Sequence, residues 1–213
     1  MNTRIPTIQI EGRGSASAAP DQVTLSFQIQ ERTRDYTDCL HRLADRVHHL
    51  RADLLSVGLP LQDLRTGHLG IQPQYAFHEG VQTFQGYEAR QHLTIRIPLD
   101  QDRLSEILAV LGRSESKAEF NLQFGLADQE SLRKEALTRA MAQCRQDAEV
   151  LASAAGMALD ELVEIRYGSE PHRMEGGLHV RMSAMKDEAP LVVDPEDIRI
   201  EIQVTASWQL SAP

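Results

Sequence analysis

The spacing of apolar residues changes from two to about 3.6 as the chain passes Arg34, and this change limits the folds that the sequence can adopt. Before it, four apolar residues alternate with polar ones, as in a strand with one buried face: Val23, Leu25, Phe27 and Ile29. After it, six apolar residues share one face of a helix predicted over residues 34–57: Tyr36, Leu40, Leu43, Val47, Leu50 and Leu54. Gly58 and Pro60 predict the end of that helix. The pattern is typical of strands covered by an amphipathic helix.

The same two spacings recur along the rest of the chain. Strands over residues 63–75 and 83–97 are predicted to form a hairpin that turns at His78-Glu79-Gly80, and a short helix follows over Gln101–Leu111. A strand then carries alternating apolar residues: Phe120, Leu122, Phe124 and Leu126. Before all of these, a strand over residues 5–12 is predicted to end in a turn at Gly12-Arg13-Gly14.

The longest helix is predicted over residues 128–155, and Gly156 closes it. Its expected buried stripe comprises Leu137, Ala140, Met141, Cys144, Ala148, Leu151 and Ala155. A strand over residues 159–167 follows. The last predicted strand alternates through Ile198, Ile200, Ile202, Val204, Ala206 and Trp208.

These elements predict an α+β fold, an antiparallel sheet with the two long helices packed on one face. When Val23 is laid on Phe120, Leu43 falls on Ala140. This suggests an internal repeat in a single domain of residues 1–213, with two βαββ halves over about 21–98 and 118–211 and an extra N-terminal strand. Shared periodicity of any two such units explains the match equally well, so duplication and coincidence both stay open.

The charge and hydropathy of the chain argue against several classes of partner. The chain has 22 Lys and Arg against 31 Asp and Glu, a formal net charge of −9, which argues against nucleic acid or an anionic membrane surface as the main partner. Its apolar runs are far shorter than the roughly 18 residues that a membrane helix needs, so no membrane insertion is expected. The first residues show no apolar signal segment. We therefore expect a cytoplasmic protein, or a periplasmic one if a leader was removed.

Two sets of residues could carry chemistry, a histidine-aspartate set on the first helix and the two cysteines. His41, Asp45 and His49 recur at intervals of one helical turn, but on the face opposite the apolar stripe, so we expect a solvated face and no metal. Cys144 lies within the stripe of its helix and is expected to be a buried structural thiol. Cys39 lies off its stripe, and a disulfide between the two cysteines is the less favoured alternative.

Motifs of enzymes and cofactor-binding proteins do not occur. Gly12-Arg13-Gly14 lacks the third glycine and the following helix of a dinucleotide fingerprint, and no phosphate-binding loop or nucleophile elbow is present. The acid pairs Asp160-Glu161 and Glu196-Asp197 fall at turns and are expected to be solvated rather than catalytic. The sequence thus predicts no cofactor and no enzymatic activity.

Three segments resemble one protein family. The opening Ile8-Gln9-Ile10-Glu11-Gly12-Arg13-Gly14 followed by Pro20-Asp21, the Ala-rich helix from Glu135 to Gly156, and the closing alternation from Ile200 to Leu210 are similar to segments of SIMPL-domain proteins. That family includes bacterial periplasmic immunogenic proteins and a signalling protein that associates with a Pelle-like kinase. The resemblance implies an α+β domain that self-associates into rings or larger assemblies, with roles in the envelope or in stress tolerance and without catalytic residues.

The expected function is that of a non-catalytic module that forms homo-oligomers or binds a protein partner. The alternatives are a small-molecule binder or enzyme with its site in a cleft between the halves, and an envelope-associated assembly at a membrane. Residues 169–190 form a long polar stretch, and we expect it to order against a neighbouring chain or ligand through three methionines: Met174, Met182 and Met185. An extended hairpin centred on Gly176-Gly177, with no binding role, is the competing hypothesis.

Overall fold

The computed structural model describes residues 6–78, 80–168, 180–182 and 194–212. Within these ranges the chain forms eight strands and three α-helices. In chain order these are β1 (Thr7–Ala18), β2 (Gln22–Thr33), α1 (Tyr36–Ser56), β3 (Arg65–His78), β4 (Val81–Pro98), α2 (Gln101–Gly112), β5 (Glu119–Gly125), α3 (Gln129–Ala154), β6 (Ala158–Arg166), β7 (Val180–Met182) and β8 (Ile198–Ser211). The predicted α+β class with antiparallel strands and two long helices is confirmed.

The elements divide into two compact units. The terminal unit contains β1, α3, β6 and β8, and the central unit contains β2, α1, β3, β4, α2, β5 and β7. Each unit has its own sheet, whereas the sequence predicted one sheet for both helices. The strand order is β1-β8-β6 in the terminal unit and β3-β4-β2-β5-β7 in the central unit, and all neighbouring strands are antiparallel.

The core of the central unit lies between its sheet and the helices α1 and α2. The alternating residues of β2 predicted for a buried face are all buried there: Val23, Leu25, Phe27 and Ile29. From α1, the buried residues are Cys39, Leu43, Val47, Leu50 and Leu54. Tyr36 was predicted to belong to this stripe but is 45% exposed, and Cys39 takes its place. The predicted exposure of His41, Asp45 and His49 is confirmed.

Each of the three helices begins at an aspartate that accepts a hydrogen bond from the first turn. Asp35 accepts from the backbone nitrogen of Asp38 at 2.9 Å, and Asp100 and Asp128 do the same for α2 and α3. Such a cap satisfies one of the amide groups that lack an intrahelical partner. The predicted helix ends are also confirmed, since Gly58 and Gly156 follow α1 and α3 with a φ of +73°.

The terminal unit packs α3 onto its three strands through small side chains. Apart from Leu132 at its start, the buried residues of α3 are Ala136, Ala140, Cys144, Ala148 and Ala152, which recur every four residues. Leu151 and Ala155 were predicted to lie in this stripe but are exposed, Leu151 at 51%. The helix is buried along a line of alanines because the sheet approaches it too closely for leucine.

This close approach corrects the role predicted for Gly12-Arg13-Gly14. The segment is not a turn, because β1 runs through it and neither glycine has a positive φ. A Cβ built on Gly12 would lie 2.5 Å from the Sγ of Cys144, and one on Gly14 would overlap the backbone of Ala136 and Ala140. The two glycines therefore make room for the backbone of α3.

The predicted repeat does not coincide with the compact units. β5, which the sequence placed at the start of the second half, pairs with β2 in the central sheet, with Leu25 opposite Leu122. In the terminal sheet, β8 lies between β6 and β1, and α3 packs on these strands. In the central sheet, β4 lies between β3 and β2 in the same way, and α1 packs on β2 and β4. Duplication stays a prediction.

Candidate functional site

The methionine segment predicted as an interface lies largely outside the described residues. Met174 and Met185 belong to residues that the structure does not describe. Met182 ends the short strand β7, and its backbone lies opposite Phe120 of β5 at the edge of the central sheet. An interface role for these methionines therefore stays a prediction.

A long β-hairpin carries the largest exposed aromatic group among the described residues. β2 ends at Thr33, opposite Tyr87, whereas β3 and β4 continue beyond this point as a two-stranded arm over residues 74–86. Four large apolar side chains on this arm are exposed by 45–74%: Tyr75, Phe77, Val81 and Phe84. The sequence predicted the hairpin but not this role. In the structure, strands of 14 and 18 residues lie beside one of 12 and extend past its end.

Aromatic rings in edge-to-face contact pack at the base of the arm. The ring of Tyr36 on α1 lies 5.4 Å from that of Tyr87, Tyr87 lies 5.3 Å from Phe84, and Phe84 lies 5.7 Å from Tyr75, all edge to face. Gly86, with a φ of +128°, lies against the backbone of Thr33 with no room for a Cβ. The base of the arm is thus packed against α1 and the end of β2.

The outer edge of the arm is unsuited to pairing with a further strand. β3 is the edge strand of the central sheet, and it contains Pro73, which has no amide hydrogen to donate. Its register with β4 shifts between Gln74 and Tyr75 and again between Thr66 and His68. Proline and bulges at an edge are features that prevent sheet extension. The β3 edge of the arm therefore disfavours strand addition, and its exposed side chains are the groups available for contact.

A second exposed apolar surface lies in the terminal unit. β6 is an edge strand of the three-stranded sheet, and most of its residues are exposed. Leu162, Val163 and Ile165 are exposed by 45–54%. Glu164 and Arg166 form an ion pair of 2.7 Å on the same strand, and the hydrogen bond from Arg166 lowers the pKa of the Glu164 carboxyl. This edge is more charged than the arm.

A buried carboxylate organises the polar face of the central sheet. Glu88 on β4 is 1% exposed and lies opposite Arg32 of β2. Its two oxygens form ion pairs with Arg32 and Arg90, and the amide of Gln30 donates to Oε2 at 2.8 Å. Alternation along β2 places Arg32 and Gln30 on the face opposite the helices. Glu88 therefore fixes the positions of two arginines.

The two cysteines are free and lie in different cores. The Sγ of Cys39 lies 3.5 Å from the carbonyl oxygens of Glu31 and Tyr87, and that of Cys144 lies 3.3 Å from the carbonyl oxygen of Val204. Burial raises the pKa of the Cys144 thiol. The prediction of a buried structural thiol at position 144 is confirmed, and Cys39 is buried as well, although the sequence placed it off its stripe.

Among the residues that the structure describes, no three His, Cys, Asp or Glu side chains are arranged to hold a metal ion. None of the helices there has the length and apolar character needed to cross a membrane.

Comparison with known proteins gives bacterial relatives that match about three quarters of this chain. The chain is 27% identical to the uncharacterized protein YggE of Edwardsiella ictaluri over 164 residues, which are 76% of this chain and 68% of the relative. It is 26% identical over 178 residues to the 26 kDa periplasmic immunogenic protein of Brucella melitensis, covering 80% of this chain and 70% of the relative. YggE of Escherichia coli is 23% identical over 163 residues, with 76% and 65% covered.

The match to a family extends over nearly the whole chain. Residues 8–208 fit the SIMPL family, described as proteins of unknown function (DUF541). This range begins in β1, before the glycines packed against α3, and ends in β8, so it includes parts of both compact units. The chain therefore belongs to the SIMPL family, as its opening, its Ala-rich helix and its last strand predicted.

Proposed function

We propose that this protein is a non-catalytic module that assembles with further copies of itself through the hairpin arm of residues 74–86. The observation that carries the proposal is the group of exposed apolar side chains on this arm, above all Phe77, which is 74% exposed. Removing one such side chain from water contributes about 1.5–3 kcal/mol. Exposed apolar groups of this size lower the solubility of a protein unless a partner surface covers them.

The low charge of the arm permits a second copy as the occupant. With a net charge of −9, two copies repel each other over most of their surface. The arm is nearly uncharged, since Glu79 is the one acid or base of fixed charge in residues 74–86. Two arms can therefore approach with little repulsion, and aromatic rings supply both contact area and favourable edge-to-face geometry. In a symmetric dimer the same patch serves both partners.

The test compares the assembly of two surface variants in the same chain. Phe77→Gln removes the most exposed ring of the arm, and Leu55→Gln removes a leucine of α1 that is 59% exposed outside the arm. We expect sedimentation to show oligomers for the parent and for Leu55→Gln, and dissociation constants about ten- to a hundredfold higher for Phe77→Gln. A parent protein that stays at 23.8 kDa at all concentrations contradicts the proposal, as does equal weakening by both variants.

We place this assembly in the periplasm rather than in the cytoplasm. Support comes from the 26 kDa periplasmic immunogenic proteins of Brucella, which match 80% of this chain. Fractionation of the native host by osmotic shock tests this: release of the protein with periplasmic markers is expected, and retention with cytoplasmic markers contradicts it.

A further inference from the structure

A polar notch lies beside β2 at the point where its neighbour β5 begins. β5 begins at Glu119, opposite Gln28 of β2, so among the described residues no strand lies beside residues 30–32 of β2 on that side. The notch has a volume of about 450 Å³, and its lining is mostly polar. The notch is open to solvent along much of its surface, so charge and hydrogen bonds rather than enclosure would hold a ligand there.

Three cationic side chains line the notch. Arg32 comes from one face of β2, Arg46 from α1, and Lys117 from the loop before β5. The Nη1 of Arg46 donates to the backbone oxygen of Gln30 at 3.1 Å, which satisfies a carbonyl that a neighbouring strand would otherwise pair. Arg46 also forms an ion pair with Glu31. The guanidinium group of Arg46 thus supplies one hydrogen bond that a neighbouring strand would otherwise make.

The carboxylates nearby are outnumbered by these cations. Glu88 is shared by Arg32 and Arg90, and Glu31 is paired with Arg46. Among the residues that line the notch, the three cations therefore face two carboxylates, those of Glu31 and the exposed Glu119. A local positive excess in a chain of net charge −9 indicates a surface suited to an anion.

The loop that carries Lys117 is held in a strained conformation. Lys117 has a φ of +49°, the one positive φ of a non-glycine residue in the described part of the chain. The Oγ of Ser114 accepts from the backbone nitrogen of Ser116 at 3.0 Å and pairs with Asp53 of α1, and Ser116 is 1% exposed. Left-handed conformations of such residues persist only where the surroundings impose them. Lys117 is therefore presented at the notch by a constrained loop.

We propose that the notch binds a small molecule through a phosphate or carboxylate group. The guanidinium planes of Arg32 and Arg46 and the ammonium of Lys117 match the charge and the hydrogen-bonding needs of an oxyanion. Glu88 and Glu31 hold the two arginines in place, and the amide of Gln28 provides a polar contact for the rest of the ligand. This site is independent of the assembly proposed for the arm.

The experiment titrates the full chain with inorganic phosphate and, separately, with malonate, each replacing chloride at constant ionic strength. Nuclear magnetic resonance of backbone amides is expected to show saturable shifts at residues 28–32 and 117–119. Lys117→Gln is expected to weaken binding about tenfold, and Lys117→Arg to restore it, because one charge-assisted hydrogen bond is lost and regained. The matched control is Lys134→Gln, which removes an exposed lysine of α3 in the terminal unit and should leave binding unchanged.

Saturation by phosphate alone would assign a phosphate-bearing ligand, and saturation by malonate alone a carboxylate. The proposal is overturned if neither anion gives saturable shifts at the notch, or if Lys117→Gln and Lys134→Gln weaken binding equally. Thermal melts of the variants exclude loss of folding as the cause, and a Lys117→Gln protein that is folded yet binds as the parent does also overturns the proposal.

Discussion

Gly14 on β1 lies directly against the backbone of Ala140 on α3, so that a Cβ at position 14 would overlap it. The neighbouring contact is of the same kind, because a Cβ on Gly12 would lie 2.8 Å from the backbone nitrogen of Cys144. Close packing of this sort leaves no space into which an added methyl group can relax. The terminal unit therefore depends on glycine in the strand and small residues in the helix.

We expect Gly14→Ala to destabilise the protein by about 3 kcal/mol, because the methyl group forces the helix away from the sheet. Gly125→Ala is the matched control, since no atom lies within 4 Å of a Cβ at the end of β5. Urea unfolding measures both. Equal free energies of unfolding for the two variants would show that β1 and α3 are not packed as described.

The buried stripe of α1 is tested by two neighbouring residues. Val47 is 8% exposed in the central core, and His48 lies on the exposed face. Val47→Asp should cost several kcal/mol, because an unpaired carboxylate enters the core. His48→Ala should change the stability by no more than about 0.5 kcal/mol. Thermal melts that show the two changes to be equally damaging would mean that the faces of α1 are reversed.

Both thiols should resist modification in the folded protein. Cys39 and Cys144 are buried, and the raised pKa of Cys144 further lowers its thiolate fraction at neutral pH. We expect a disulfide reagent such as Ellman's reagent to react slowly with native protein at pH 7.5 and with two thiols after unfolding in urea. Rapid reaction of one thiol in the native state would contradict the burial of that cysteine.

The ion pair on β6 gives a pH dependence of known sign. The hydrogen bond from Arg166 lowers the pKa of Glu164 in the folded state. The associated stabilisation is therefore present above the unfolded pKa of glutamate and is lost as the pH falls through the lower folded value. Carboxyl resonances should show Glu164 titrating below the ordinary glutamate range, and Arg166→Gln should raise its pKa. A titration that is unaffected by Arg166→Gln would contradict this assignment.

Periodicity predicted the local structure well because burial of one face imposes it. The alternation of Val23 to Ile29 and the glycines at positions 58 and 156 gave the strand and both helix ends that the structure shows. Family membership was likewise predicted from three short segments and is confirmed over residues 8–208.

Long-range packing was less predictable, because it depends on how closely elements approach. Leu151 fits an apolar stripe on a helical wheel, yet the alanine line of α3 is buried instead, since Gly12 and Gly14 bring the sheet next to the helix backbone. Glu88 gave no signal in the sequence, because a buried carboxylate is identified only by the arginines that reach it across strands.

Hydroxyl-radical footprinting of dilute and concentrated protein tests the proposed assembly most directly. Aromatic side chains react readily with the radical, so Tyr75, Phe77 and Phe84 report their own exposure, and Leu162 and Ile165 on β6 serve as an internal comparison. Assembly through the arm predicts that modification of the three aromatic residues falls as the concentration rises, while β6 is modified equally throughout. Constant modification of the arm, or protection confined to β6, would contradict it.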